Sequence, residues 1–263
     1  MKKIIPLLLA LVIISVTVGC GSSGGSYLLQ EGKLLVGTDI EYPPFEMYEA
    51  GGQTLVGLDI ELGLAIGEIM GLEVEFIDTG FDGILDGLKN KKYDAVMAAI
   101  TITASRAEEV DFSSPYVENW QAIVIIKGGE PITSMKGLGG KRVAYQKGAA
   151  SKDYISIFID KGELTCYETE YPKIAECFDD LRDGRVDAVL CDSVVADKFA
   201  ADEPDVFEVS WTQENEPGET PELFGIAVRK GNAGLLDRIN DALRQMEDDG
   251  GLDGLRDKWL AIY

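Results

Sequence analysis

The 263-residue sequence contains no histidine. This absence excludes Ser-His-Asp and Cys-His catalytic groups, and it excludes every zinc site that uses an imidazole ligand. Basic residues are also scarce, since 24 Lys and Arg stand against 46 Asp and Glu and give a formal net charge of −22. A nucleic-acid partner is not expected, because phosphate binding needs a basic face. We predict no cofactor and no metal site.

Long apolar runs are nearly absent as well. The one that occurs covers residues 4–18 and follows two lysines, which is typical of a secretory signal peptide rather than a membrane span. We predict a signal peptide over residues 1–19 and a lipid-anchored flexible tether over residues 20–31, with Cys20 as the lipidated residue. Lipoprotein signals usually carry leucine where Thr17 stands, so simple secretion is the alternative.

Three cysteines follow the leader. Cys166 falls in a predicted strand and Cys177 on the apolar face of the next predicted helix, so they could form a disulfide in an oxidising compartment. The other interpretation is two buried thiols that pack as small hydrophobic groups. Cys191 ends a predicted strand and has no evident partner.

Short apolar strands alternate with amphipathic helices from residue 33 onward. Strand and helix alternation of this kind is typical of mainly parallel, doubly wound sheets. The series restarts after residue 121, and a late strand precedes two C-terminal helices, which indicates two α/β lobes. The predicted strands are 33–38, 73–77, 94–99, 121–126, 141–145, 163–167, 186–190 and 223–228.

Polar and aromatic residues follow five of these strands directly. In open α/β sheets a ligand binds at the carboxyl ends of the strands, where the loops converge. Any one of these residues could instead cap a helix or pack in the core, but their collection at five strand ends favours a binding site. The candidates are Asp39, Tyr42, Phe81, Thr101, Arg106, the turn from Gln146 to Ala150, and Asp192.

The most informative stretch is Asp94–Tyr116, DAVMAAITITASRAEEVDFSSPY. An apolar strand leads into a Thr-rich loop with one arginine, Arg106, and then into a Ser-Ser-Pro turn. A guanidinium presents a planar fork of donors that matches a carboxylate with two parallel hydrogen bonds, and Thr101 can add a donor beside it. The stretch therefore predicts a site for a small carboxylate.

This stretch closely resembles the corresponding segment of the extracytoplasmic solute-binding proteins of polar amino-acid ABC transporters, which have the type II periplasmic-binding fold. The segment Gly57–Leu62 and the C-terminal helix with Lys258 and Trp259 resemble the same family. The resemblance extends over residues 32–263.

The resemblance implies a Venus-flytrap fold, in which two hinge strands join two doubly wound α/β lobes. Lobe 1 would comprise residues 32–118 and 223–263, and lobe 2 residues 119–222. The chain would cross between lobes near residues 116–121 and 221–224.

The resemblance also implies roles for the candidate residues. Arg106 would hold the α-carboxylate of an amino acid with Thr101 and with backbone N–H groups near Ala99. Asp192, from the other lobe, would accept hydrogen bonds from the α-ammonium group. One departure from the family pattern is at Ala149 and Ala150, where the family often has a turn that carries a threonine. The N-terminus of the helix that follows could still favour an anion there.

The ligand's side chain would lie between Tyr42 and Phe81, whose flat faces give apolar contact and a cation–π interaction with a cationic group. Asp39 stands where such proteins often contact the end of that side chain, which weakly favours a polar or basic amino acid. Gln146 would contact the ligand or border the cleft.

The expected function is the monomeric binding component of an amino-acid importer, which delivers a free amino acid to an ABC permease and is attached to the membrane by a lipid anchor. It would not be an enzyme. Two alternatives stay open. A cyclohexadienyl or arogenate dehydratase would have this fold and would need Glu41 or Asp39 as its general acid. A stand-alone amino-acid sensor would report to a separate membrane protein.

Overall fold

The computed structural model describes residues 27–49, 51–216 and 218–260. The predicted signal peptide, Cys20 and the first residues of the predicted tether lie outside these ranges. Within them, no helix combines the length and the apolar character needed to cross a membrane.

The described residues form fourteen strands and eight α-helices. The strands are β1 Lys33–Thr38, β2 Met47–Tyr48, β3 Leu55–Val56, β4 Glu73–Asp78, β5 Ala95–Val96, β6 Val110–Phe112, β7 Val117–Asn119, β8 Gln121–Ile126, β9 Arg142–Gln146, β10 Tyr167–Tyr171, β11 Ala188–Asp192, β12 Phe207–Thr212, β13 Glu222–Phe224 and β14 Ala227–Arg229. The helices are α1 Leu58–Met70, α2 Ile84–Lys89, α3 Ala104–Glu109, α4 Ala150–Asp160, α5 Ile174–Arg182, α6 Ser193–Asp202, α7 Ala233–Asp248 and α8 Gly251–Leu260.

The first sheet has the strand order β4-β1-β5-β14-β6. β1 runs parallel to both of its neighbours, whereas β14 is antiparallel to β5 and to β6. The interior strand β1 has an apolar run, Leu34–Val36, because helices cover both faces of a parallel sheet. Gly37 within it leaves room for Tyr93, since an added Cβ would lie 2.6 Å from that ring. Helices α7 and α8 pack on α1.

The second sheet has the order β10-β9-β11-β8-β12. Its side chains alternate between two hydrophobic clusters, as the pleat of a strand requires. On β11, Leu190 packs in the cluster that contains Tyr154 of α4, whereas Cys191 packs in the cluster that contains Phe178 of α5. Helices therefore cover both faces of this sheet, and its central strands are buried on both sides.

A separate two-stranded ribbon of β7 and β13 joins the sheets, and we call it the hinge ribbon. β7 leads directly to the second sheet, and β13 leads back to β14 of the first. We use "first lobe" for the first sheet with its helices and "second lobe" for the second sheet with its helices. The predicted α/β fold of two lobes joined by two hinge strands is confirmed.

Three strand predictions were wrong in detail. The strand predicted over residues 94–99 is reduced to β5, Ala95–Val96. The late strand predicted over residues 223–228 is two strands, because β13 pairs with the hinge strand β7 and β14 pairs within the first sheet. The strand predicted over residues 163–167 begins only at Tyr167. The N–H groups of Glu163 and Leu164 donate to the carbonyl oxygen of Phe158, so this part of the chain still belongs to the turn after α4.

The three cysteines in the described part of the chain are free thiols. Cys177 is buried against the second sheet on the α5 face, while Cys166 packs against the cluster on the α4 face. The sheet therefore separates the two sulfur atoms. The disulfide that the sequence left open between Cys166 and Cys177 is not formed, and both behave as hydrophobic packing groups.

Candidate functional site

The carboxyl-end loops of the two sheets face each other, and side chains from one lobe bond to the other. The hydroxyl of Tyr42 donates to the carboxylate of Asp192. A second polar contact joins Gln146 Nε2 to Asp39 Oδ2 at 2.6 Å. At the rim, Lys147 Nζ lies 2.8 Å from Asp82 Oδ2. The lobes are thus in direct contact across the cleft where the sequence predicted a site.

Arg106 lies at this interface on the short helix α3. Thr103 precedes the helix, and its hydroxyl accepts a hydrogen bond from the Arg106 backbone N–H at 3.2 Å, which fixes where the helix begins. Nη1 of the guanidinium donates to the carbonyl oxygen of Thr101 at 2.8 Å, and Nη2 donates to that of Gly148, on the opposite lobe, at 2.9 Å. The guanidinium carbon lies 5.6 Å from the centroid of the Phe81 ring. Burial lowers the pKa of Arg106, but an arginine remains charged in proteins.

Thr101 and Ala99 lie in the loop between β5 and Arg106, and their backbones make different contacts. Thr101 is buried, and its backbone forms a bridge with Phe224, the last residue of β13 in the hinge ribbon. Ala99 has a φ of 46°, and its N–H donates to Asp59 Oδ2 at 2.8 Å. This N–H is therefore engaged by Asp59 here, and the prediction that backbone N–H groups near Ala99 help to bind the ligand's carboxylate stays a prediction.

Asp192 ends β11 on the second lobe and is buried. Its Oδ1 accepts from Asn119 Nδ2 at 2.7 Å and from Gln121 Nε2 at 3.1 Å, while Oδ2 accepts from Tyr42. Burial raises the pKa of Asp192, and these three donors and Arg106 oppose the rise because they stabilise the charged form. The carboxylate is therefore held in a single orientation by groups from the hinge and from both lobes.

Glu222 is a second acid beside Asp192, and the sequence analysis missed it. Its Oε2 accepts from Gln121 Nε2 at 2.8 Å and from Asn119 Nδ2 at 3.4 Å, so the two carboxylates share both amide donors. Burial and the neighbouring Asp192 raise the pKa of Glu222 to about 7. Asn119 and Glu222 are backbone partners in the hinge ribbon. Both lie in the predicted lobe crossings, so the polar residues of these two short segments were the sequence signal that could have identified Glu222.

Asp39 is 1% exposed and lies where β1 ends. Lys173, which precedes α5 and was also missed, places Nζ 2.6 Å from Asp39 Oδ1 and 2.6 Å from the carbonyl oxygen of Ile40. Gln146 Nε2 takes the other carboxylate oxygen and also donates to the carbonyl oxygen of Pro172 at 3.1 Å. Burial raises the pKa of Asp39, while Lys173 and Gln146 oppose the rise.

The remaining candidates have narrower roles. Phe81 begins a short 3₁₀ turn and is half-buried beneath Arg106. Tyr42 is buried, with its ring centroid 6.3 Å from that of Phe45. Ala150 begins α4 and is buried without offering a polar side chain, but the adjacent Ser151 hydroxyl donates to Gln121 Oε1 at 2.7 Å. Contacts across the interface are made by Asp39, Tyr42, Arg106, Gln146 and Asp192, and Phe81 packs against Arg106. Ala99 and Thr101 lie in the loop that leads to Arg106, and Ala150 begins the helix after Gln146.

The arrangement offers a fixed cation, Arg106, and a fixed buried carboxylate, Asp192, in the same cleft, whose charges influence each other. A guanidinium favours a carboxylate, and a buried carboxylate with oriented lone pairs favours an ammonium group. Two lobes that meet around such a pair define a solute-binding protein of the periplasmic-binding type.

The chain belongs to the bacterial extracellular solute-binding proteins, family 3, whose sequence profile matches residues 34–262. It is 33% identical over 267 residues to the arginine-binding extracellular protein ArtP of Bacillus subtilis, covering 99% of this chain and 98% of that protein. It is 32% identical over 234 residues to the L-cystine-binding protein TcyJ of Escherichia coli, covering 88% and 84%.

Solved structures agree with this assignment. An ancestral arginine-binding protein bound to arginine superposes with a TM-score of 0.81 at 39% identity, covering 88% of this chain and 99% of that one. The ancestral amino acid-binding protein AncCDT-1, described as a precursor of cyclohexadienyl dehydratase, superposes with a TM-score of 0.76 at 37% identity, covering 87% and 95%. The fold therefore hosts binding proteins and is also related to enzymes.

Proposed function

We propose that this chain is the extracytoplasmic substrate-binding component of an amino-acid ABC importer. The observation that carries the proposal is the placement of Arg106 and Asp192 in one cleft between two lobes. Arg106 binds the α-carboxylate, and Asp192 accepts hydrogen bonds from the α-ammonium group. Relatives named for arginine, cystine and glutamine binding support an amino acid as the ligand.

The proposed mechanism is closure of the two lobes around the ligand. The amino acid first meets Arg106 and Phe81 on the first lobe, and bending at the hinge ribbon brings Asp192 and Gly148 over it. Closure excludes water, which strengthens the charged contacts because the local dielectric constant falls. The ligand stabilises the closed form only through contacts that are better there than in the open form. A membrane permease then accepts the amino acid from the closed form.

We also propose the bounds of the two lobes, the oligomeric state and the location of the protein. The lobes correspond to residues 32–118 with 223–263 and to residues 119–222, and the mature protein acts as a monomer outside the cytoplasm. Lipidation at Cys20 would keep it close to its permease at the membrane, since a diacyl anchor binds a bilayer strongly.

The first test is a panel of the twenty amino acids against the chain without its leader, residues 26–263. The protein is refolded from denaturant beforehand so that no carried-over ligand remains. An amino acid that binds only the folded form raises stability by RT ln(1 + [L]/Kd), so one or a few of them should raise the melting temperature. A folded protein with a flat panel contradicts the proposal and directs attention to other small carboxylates.

Arg106→Ala separates specific binding from general stabilisation. We expect this variant to lose on the order of 3–5 kcal/mol of binding free energy, or roughly 10²- to 10⁴-fold in Kd, because it leaves the ligand's carboxylate buried without a partner. Arg244→Ala is the matched control, because Arg244 is exposed on α7 and pairs with Asp241 of the same helix. Calorimetry measures the affinities. If Arg106→Ala binds within about tenfold of the unaltered chain, Arg106 does not bind the α-carboxylate as proposed.

We propose binding rather than turnover. A dehydratase needs an acid in the cleft that is free to donate a proton, and Asp39 is not free because both of its oxygens accept hydrogen bonds from Lys173 and Gln146. Glu41 and Glu222 are the other acids that could serve, so the choice between binding and turnover rests on a direct assay. Incubation with arogenate and with prephenate tests this directly, and formation of their aromatic products would instead support the dehydratase. A sensor role would require binding of an amino acid without any effect of the chain on transport.

A further inference from the structure

We propose that Lys173 is a specificity-determining residue: by pairing with Asp39 it makes the side-chain end of the cleft a neutral subsite, so that neutral polar amino acids bind more tightly than cationic ones. This inference rests on the proposed function, because it concerns the side chain of an amino acid bound between the lobes. It names the preferred ligand class that the family alone leaves open.

The geometry at Asp39 carries the inference. This carboxylate is buried, and each of its two oxygens is 2.6 Å from a donor supplied by the second lobe, Lys173 Nζ on one and Gln146 Nε2 on the other. A buried carboxylate that stood alone would attract a cationic side chain strongly. Here the attraction is already satisfied within the protein.

The ammonium group of Lys173 is itself well bound. It donates to Asp39 and to the carbonyl oxygen of Ile40, and it lies 3.9 Å from the carboxylate of Asp78. Two of its N–H donors therefore have acceptors in the first lobe, and a second carboxylate of that lobe lies close enough for an ion pair. A cationic ligand group would have to displace it from all of them or accept a like charge beside it.

Helix α5 gives no reason for a lysine at position 173. Lys173 is the residue that caps the N-terminus of α5, where Ser, Thr, Asp and Asn are preferred and where the helix dipole disfavours a positive charge. The Lys173 backbone N–H is bonded to the side chain of Glu176, so its own side chain does no capping. The contact with Asp39 offsets the unfavourable position.

A repulsive element of this kind is a common source of specificity, because discrimination depends on the difference between two binding free energies. Family membership does not decide the side chain, since relatives are named for arginine and for glutamine. An ancestral arginine-binding protein has structures with arginine and with glutamine bound, so this fold accepts both. The charge state at Asp39 is the feature on this chain that separates the two ligand classes.

Citrulline and arginine provide the sharpest test because their side chains have nearly the same shape, but only the side chain of arginine is charged. Calorimetry on the unaltered protein should give citrulline at least tenfold tighter binding than arginine, and glutamine should also bind more tightly than lysine. In Lys173→Met the arginine-to-citrulline affinity ratio should rise at least tenfold, and adding Asp39→Asn should cancel that rise. Lys141→Met, which removes an equal charge paired with Glu130 at the surface of the same lobe, should leave the ratio unchanged.

The outcomes separate this inference from the proposed function. Tighter binding of arginine than of citrulline by the unaltered chain, or an unchanged ratio in Lys173→Met, overturns the role of Lys173 while amino-acid binding stands. Absence of binding to any amino acid by the folded, unaltered chain overturns both. The citrulline comparison needs no variant, so the inference stays testable if Lys173→Met does not fold.

Discussion

Tyr42 on the first lobe donates its hydroxyl hydrogen to the carboxylate of Asp192 on the second, 150 residues away in sequence. The same carboxylate accepts from Asn119 and Gln121, which belong to the hinge ribbon and to the strand that follows it. One acid therefore connects both lobes and the hinge. Its orientation depends on closure of the cleft, because one of its three donors comes from the opposite lobe.

Tyr42→Phe should weaken amino-acid binding by about 1–2 kcal/mol, or roughly 5- to 30-fold, because it leaves a buried acceptor on Asp192 without its donor. Calorimetry measures the change. Tyr171→Phe is the control, since it removes a tyrosine hydroxyl that bonds to Asp180 away from the lobe interface. Equal affinities for the two variants would contradict the importance of the contact.

Gly148→Ala should hinder closure. Gly148 has a φ of +79°, and an added Cβ would lie 3.1 Å from the Cα of Asp82 on the opposite lobe. Gly184→Ala is the control, because its φ is +70° and nothing lies within 4 Å of an added Cβ. Both variants should lose about 1–2 kcal/mol of stability from the left-handed backbone, measured by denaturant unfolding.

Only Gly148→Ala should also bind the ligand less tightly, by about tenfold, since about 1.4 kcal/mol of closure free energy corresponds to that factor. If calorimetry gives the two glycine variants the same affinity, the lobes do not need to approach as closely as Gly148 and Asp82 do here.

Glu222 should make stability depend on pH. Its pKa is about 7 in the folded chain, raised from 4.5 by burial and by Asp192. Between those two pH values the folded chain holds a proton that the unfolded chain has released, so the contribution of Glu222 to stability falls as pH rises from about 4.5 to about 7. Above pH 7 both forms have lost the proton and the loss is complete.

Urea unfolding of Glu222→Gln and of the unaltered chain at pH 4.5, 6 and 8 measures this contribution. The substituted glutamine amide carries no charge at any of these values, so the variant should gain stability relative to the unaltered chain as pH rises. The groups that face Glu222 are Asp192, Arg106, Asn119 and Gln121, and they are the same in both proteins. Parallel stability curves would show that the pKa of Glu222 is the same in the folded and the unfolded chain.

The cysteines should react as separate thiols. Burial raises the pKa of all three thiols, which disfavours the reactive thiolate, but only Cys166 is partly exposed and accessible to a reagent. An alkylating reagent followed by mass spectrometry should modify Cys166 first and the other two only after unfolding. A reducing agent should leave the melting temperature unchanged, and a decrease of several degrees would instead indicate a disulfide.

Individual elements differ in how well the sequence predicted them. The bounds of β1 and β8 agree with the predicted ranges 33–38 and 121–126, because each is a short apolar run between turn-forming residues. The strand predicted over residues 94–99 is much shorter, since only Ala95 and Val96 pair with β1. The residues after Val96 turn away from the sheet and carry the chain to Thr101 and Arg106.

The sequence by itself determined the two α/β lobes, the family and most residues that border the cleft. Hydrophobic periodicity and a motif with Arg106 at its centre are local properties of the chain, and the carboxyl ends of strands predict where loops meet. Local patterns therefore identified which residues lie near the site.

Only the tertiary structure decided how those residues pair. Lys173 and Asp39 are 134 residues apart, and Gln121 and Glu222 are 101 residues apart, so no local pattern links either pair. Their contacts exist because closure of the lobes and pairing within the hinge ribbon bring distant segments together. Whether a charge in the cleft is free or neutralised depends on such contacts. The neutralisation of Asp39 by Lys173 therefore could not be predicted from the sequence.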